Sequence, residues 1–167
     1  MAAFEQIFRA LNDAGVRYVT VGGVAVVLHG HARLTTDLDL AIDLAAEPSA
    51  AAIQALESLG FRPRLPVKAA DFADPAIRQR WIEEKSMEVF TMWDPEDPTH
   101  VVDLFVTSPI DFDELWERSV PVDLEVTQVL IASIPDLIRM KSATDRPLDR
   151  EDIVALKAIL ESKEKGR

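Results

Sequence analysis

The sequence predicts an α/β (α+β) protein: a small mixed β-sheet flanked by helices, with a helical portion from about residue 135 to the end. Three observations predict it. Apolar residues recur at helical spacing near the start, alternate with polar ones at period two in the middle, and return to helical spacing after Pro135. The 167 residues show no internal repeat or low-complexity tract, and the length suits one domain over 1–167.

Taken in order, residues 4–14 put Phe4, Ile7, Phe8 and Leu11 on one stripe of a helix that Gly15 stops. Val16 to Val21 is short and β-rich, a strand running into a Gly22-Gly23 turn, and Val24 to Leu28 reads as a short buried helix. Thr36 to Ile42 alternates: Leu38, Leu40 and Ile42 fall on one face, Asp37, Asp39 and Ala41 on the other. Glu47 to Leu59 is a helix with Pro48 in its first turn and Gly60 at its end. FRPRLPV is too rich in proline for a central strand and belongs at a sheet edge or in a loop. Pro75 to Lys85 is helical, Met87 to Trp93 and His100 to Thr107 form a strand pair joined by DPEDPT, and Phe112 to Glu117 makes one or two helical turns. A hairpin over Val120 to Leu124 and Thr127 to Ile131 leads to helices at about Pro135 to Ser142 and Arg150 to Lys163.

Composition narrows the chemistry. With no cysteine, thiolate metal sites, disulfides and cysteine nucleophiles are excluded together, and three histidines make a histidine-rich metal site improbable. A net charge of −11 argues against binding DNA or RNA by bulk electrostatics, which relies on many basic residues neutralising phosphates. No apolar run approaches the roughly 20 residues that span a bilayer. The amphipathic start, with Glu5 and Asp13 in it, lacks the features of a signal peptide, so the expected location is cytoplasmic, without membrane contact.

The carboxylates raise the functional question. In a strand, Asp37 and Asp39 point the same way, roughly 6.5 to 7 Å apart along the backbone. Desolvated without compensation, they would cost several kcal/mol. A hard divalent cation removes that cost, and Mg²⁺ typically takes one or two carboxylates and completes its shell with water and phosphate oxygens. Asp103 interrupts the apolar run VVDLFV, and if its strand lies beside that of Asp37, three carboxylates converge for an in-line phosphoryl or nucleotidyl transfer. Gly22 and Gly23 would let the backbone approach phosphate oxygens closely. Each feature alone also has a purely structural reading, as a turn, a solvated sheet face or a hydrogen-bonded aspartate; order and spacing carry the signal.

In that order and spacing, VGG (21–23), DLDL (37–40) and VVDLFV (101–106) resemble the signature of the nucleotidyltransferase fold of the polymerase β superfamily. Within it, Arg33-x-Thr35-x-Asp37-x-Asp39 and the run DLIRMKSATDRPLDREDIVAL (136–156) are similar to small bacterial proteins related to the AbiEii toxin. The resemblance implies that Asp37, Asp39 and Asp103 are catalytic and bind Mg²⁺ (or Mn²⁺). It further implies that Gly22, Gly23, Arg33, Thr35, Lys141 and Asp149 surround a nucleoside triphosphate such as ATP. One departure stands out: position 23 is Gly where many active members have Ser, so no hydroxyl is available there.

Several residues keep two readings. Arg33 either binds the triphosphate or pairs with a carboxylate; Lys141 reaches phosphate or is a solvated base; Asp149 belongs to the site or caps a helix that follows it. His29 and His31 read as loop or helix-end residues, and Trp81, Trp93 and Trp116 as core or interface anchors. The expected activity is transfer of an NMP group from an NTP to a hydroxyl of RNA, protein or a small molecule, possible in a toxin with a cognate antitoxin. The alternative is a silent nucleotide- or partner-binding module of the same fold. Residues 62–85, the least family-like stretch, are where acceptor choice is expected to lie.

Overall fold

A computed structural model describes residues 2–144 and 146–165. Its centre is a sheet of seven strands in the order β3-β4-β5-β2-β1-β7-β6: β1 (Tyr18–Val21), β2 (Asp37–Ile42), β3 (Arg62–Pro63), β4 (Val89–Trp93), β5 (Val101–Phe105), β6 (Val120–Asp123) and β7 (Gln128–Ile131). The sheet is mixed, with parallel β2/β5 and β1/β7 pairs and antiparallel pairs elsewhere. The helices are α1 (Ala2–Asp13), α2 (Gly22–Leu28), α3 (Ala46–Ser58), α4 (Pro75–Lys85), α5 (Phe112–Glu117), α6 (Ile134–Thr144) and α7 (Pro147–Lys165). The α/β class and the C-terminal helices are as the sequence predicts.

Local chemistry sets the boundaries. Phe4, Ile7, Phe8 and Leu11 of α1 are all buried. The helix ends where Gly15, at φ +67°, and Val16 donate back to Asn12 and Leu11, a left-handed stop that favours glycine. Gly60 ends α3 in the same way, its following residue Phe61 donating to Leu56. Asp74 caps α4 through the amide of Ala76, with Pro75 as the first helical residue. Pro63 sits on the edge strand, where a missing amide is tolerated. A 3₁₀ turn over Ala69–Ala73, which the sequence pattern does not announce, carries Phe72 into the core against Phe90. Arg78 holds this region together by donating to the carbonyls of Phe72 and Leu44.

Two boundaries depart from expectation. The glycines do not form a separate turn before α2; Gly22 is itself its first residue, with φ +62° confining the turn to one position. At the other end, α7 starts at Pro147, so Asp149 lies in the first helical turn and not before it. Its carboxylate accepts from Lys141 Nζ (3.0 Å) and Thr144 Oγ1 (2.7 Å), which corrects the helix-cap reading. Proline's fixed φ suits it to the first helical position, which draws the boundary forward.

The two faces of β4, β5 and β2 differ. Phe90, Met92, Val102, Leu104, Leu38, Leu40 and Ile42 are buried on one face, packed into the core. On the other, Val89, Thr91, Asp103, Phe105 and Asp39 remain half-buried, with Asp37 exposed. The alternation of a strand thus separates core from site around the carboxylates, while Ala41 and Val101 on the aspartate face are buried. Among the described residues, no helix is long and apolar enough to cross a membrane.

Candidate active site

The register of β2 and β5 sets Asp39 opposite Asp103 and Asp37 opposite Val101, so the carboxylates of both strands emerge on the open face. One strand further, Thr91 is opposite Asp103 and donates to its Oδ1 at 2.5 Å. Asp37, at the exposed strand end, accepts from Thr36 Oγ1 at 2.9 Å. Burial, then the charges of Asp103 and Asp37, push Asp39 up to about 7, while Lys141 and the backbone of Gly23 pull the other way. Asp103 is raised as well, by burial first and then by Asp37, against the Thr91 hydrogen bond and the charge of Arg64. The site therefore holds more negative charge than its surroundings neutralise.

Both glycines leave room for neighbouring side chains, which would have to shift if a Cβ were added. A Cβ on Gly22 would collide with the Asp39 carboxylate, whose Cγ lies 2.7 Å from that position. Gly23 is excluded from carrying one by Arg33 Nη2 and by Thr35 Oγ1, the latter 2.5 Å away. The space a serine side chain would take at position 23 is already filled by a guanidinium and a hydroxyl from the α2–β2 loop.

Arg33 is held from behind by an unexpected residue. Asp152 of α7 is fully buried and receives Arg33 Nη1 at 3.2 Å and Lys141 Nζ at 2.7 Å, with His31 Nε2 3.9 Å away. Lys141 bridges from Asp152 to Asp149, so it is a buried, doubly paired cation and not a solvated base. Although burial pushes upward, Thr144 and Lys141 hold Asp149 below the ordinary carboxylate value. Asp152 Oδ1 and Arg33 Nε have no hydrogen-bond partner among the described residues. Asp152 was invisible as a site residue because 119 positions separate it from Arg33; the only hint was its occurrence in the 136–156 run. His29, by contrast, ties the end of α2 to the carbonyl of Ala132 at 2.8 Å. Trp81 is a core anchor stacked on Phe90, and Trp116 packs under Arg17.

All the candidate residues predicted from the sequence line one cleft of about 870 Å³, together with Arg139 and Arg146, which the sequence pattern did not single out. The family model described as "Nucleotidyltransferase of unknown function (DUF6036)" matches residues 1–162. The chain belongs to this family. No curated protein matches the sequence. Among solved structures, it is similar to the lincosamide antibiotic adenylyltransferase LnuA bound to lincomycin, at TM-score 0.65 and 18% identity over 95% of this chain and 97% of that one. It is similar also to ANT(2″)-Ia in complex with adenylyl-2″-tobramycin (TM-score 0.58, 15% identity, 96% and 89% covered). A third is an antigenic nucleotidyltransferase-like protein from Paracoccidioides brasiliensis (TM-score 0.54, 17% identity, 92% and 74% covered). At these identities the likenesses establish the fold, a polymerase-β-like nucleotidyltransferase fold.

The fold of this DUF6036 nucleotidyltransferase implies a divalent cation, and the donors the cleft offers are aspartate oxygens. Among the described residues, no group of three or more His, Asp or Glu is arranged to hold a metal ion by itself. A complete protein cage is not what Mg²⁺ needs, since one or two carboxylates plus substrate phosphates suffice. The all-oxygen donors, and a carboxylate raised to about 7 by burial and then by its anionic neighbours, fit that mode.

Three outcomes follow. In the metal-free protein, Asp39 binds its proton more tightly folded than unfolded, so its contribution is intact below pH 4 and lost as pH rises through about 7. Thermal melts in chelator should fall across that window, and Asp39→Asn should remove most of the fall, the remainder belonging to Asp103. Asp152→Ala leaves the buried Lys141 and the half-buried Arg33 without that carboxylate and should cost about 3 to 5 kcal/mol in urea unfolding. Gly23→Ser should cost about 1 to 3 kcal/mol by displacing Arg33 or Thr35, and the same melts would show it.

Proposed function

We propose that this protein is a Mg²⁺-dependent (or Mn²⁺-dependent) nucleotidyltransferase that moves an NMP group from an NTP to a hydroxyl acceptor. The observation that carries the reading is the cross-strand placement of Asp39 and Asp103 on an open sheet face, short of positive charge and bordered by Lys141 and Arg33. Asp37 and Asp39 would hold the metal, with Asp103 beside them. When bound, the cation supplies positive charge against the α-phosphate and the departing pyrophosphate.

The rest falls to the chain itself. Gly22 and Gly23 keep the backbone bare where phosphate approaches, and Lys141 and Arg33, fixed by Asp149 and Asp152, offset triphosphate charge. Asp103, its Oδ1 held by Thr91, takes the proton of the attacking hydroxyl. A bond forms from that oxygen to the α-phosphorus, the bond to the β-phosphate bridging oxygen breaks, and pyrophosphate leaves. The packing at position 23 supports a working site without serine, because Arg33 and Thr35 put polar atoms in the space a serine would fill. A role as a toxin held by an antitoxin rests on the AbiEii resemblance of the Arg33–Asp39 motif and the 136–156 run alone.

The decisive measurement is stabilisation by ligand. ATP, GTP, CTP or UTP with Mg²⁺, at about 100 times its Kd, should stabilise the wild type by about 2.7 kcal/mol. Asp37→Ala should abolish the effect and Asp39→Asn should abolish label transfer from α-labelled NTP. Nucleotide binding without Asp39-dependent transfer to any acceptor would leave only a silent binding module; absence of both would sink the nucleotide site.

A further inference from the structure

The cleft has two chemically different ends, divided by the Asp39–Asp103 pair. On the Asp39 side stand Lys141, which acts on the Asp39 charge, and Arg33, with Arg139 of α6 and Arg146, just before α7, also lining the cleft. On the Asp103 side the sheet turns apolar one step along the same face, where Phe105 and Val89 are cross-strand partners. Ile82, Met87 and Ile110 line that stretch, and Ile82, Met87 and Phe105 are only half-buried. Among the described lining residues contributed by α4, the α4–β4 connection, β4, β5 and the loop after β5, the charged ones are Glu88 and Asp103, both anionic. Arg64 lies close enough to influence Asp103 but does not line the cleft.

In-line displacement assigns the two ends. Pyrophosphate must leave toward the cations, so the attacking hydroxyl arrives from the opposite side of the α-phosphate, over Asp103 and its apolar neighbours. We infer that the Phe105–Val89 end seats the acceptor, and that the acceptor is a compact alcohol or glycoside with an apolar body and no negative charge. This rests on the nucleotidyl-transfer reading above. The phosphates flanking an RNA 3′ end would face two carboxylates with no lining cation to replace their counterions. A polycation would have to desolvate several ammonium groups against apolar walls for the sake of Glu88. At about 870 Å³ the cleft lies toward the upper end of the range of ligand sites, and sharing it with a nucleotide leaves room for a compact partner.

The test offers the full-length protein Mg²⁺ and α-labelled NTPs with three kinds of acceptor: n-alkyl β-glucosides from methyl to hexyl, deacylated tRNA, and kanamycin. Glucoside labelling is expected to dominate, with kcat/KM rising about fourfold per added methylene. Phe105→Asp should flatten that rise and cut hexyl glucoside labelling at least tenfold, while calorimetry shows the Kd for Mg–ATP changed less than twofold. Met87→Glu, at a half-buried position, gives the same reading if Phe105→Asp does not fold. Preferred labelling of tRNA or kanamycin, a rate indifferent to chain length, or NTP binding without glucoside labelling would each overturn the inference. Failure of the wild type to bind any Mg–NTP is a different result: it removes the transfer reading, and this one with it.

Discussion

Everything around the site answers one constraint, a pair of carboxylates placed side by side in the middle of a sheet. Moving such groups from water without compensation costs several kcal/mol, and Asp39 is pushed to about 7 as a result. The fold contains the problem by geometry. Gly22 gives up its side chain to make room for the carboxylate, the Gly23 backbone and Lys141 partly offset its charge, and one sheet face stays open so that water and substrate reach it. Stability is surrendered where a positively charged ligand would restore it.

A second charged cluster supports the first. Asp152 joins α7 to the α2–β2 loop and, through Lys141, to α6. Arg33 and Lys141, two of the cations facing the cleft, are thus fixed by a buried carboxylate on the last helix that is far in sequence from Arg33. Its orphaned oxygen and the unpaired Nε of Arg33 show a network built for placement more than for complete hydrogen bonding.

Much of this was legible in the sequence because it is encoded locally. Period-two alternation placed Asp37 and Asp39 on one face, Pro75 and Phe112 marked helices that begin where expected, and the proline pair in FRPRLPV pointed to an edge. What could not be read was non-local or hidden by a competing local signal. The pairing of Asp103 with Asp39 was conditional on residues 64 positions apart becoming neighbours, and the Asp152 link spans a still longer separation. Pro147 drew the start of α7 forward and changed Asp149 from a cap to a partner of Lys141. The 3₁₀ turn at Ala69–Ala73 is specified by where Phe72 and Arg78 can bury, which no periodicity expresses.

Gly23 is the feature whose meaning changes most. Taken by itself it marks a missing hydroxyl; in space, its vacancy is the seat of Arg33 and Thr35. A serine at 23 and these two side chains as placed are mutually exclusive occupants of one volume. A larger residue at position 23 is accommodated only where the side chains at 33 and 35 draw back, so the three positions act as one packing unit at this end of the cleft.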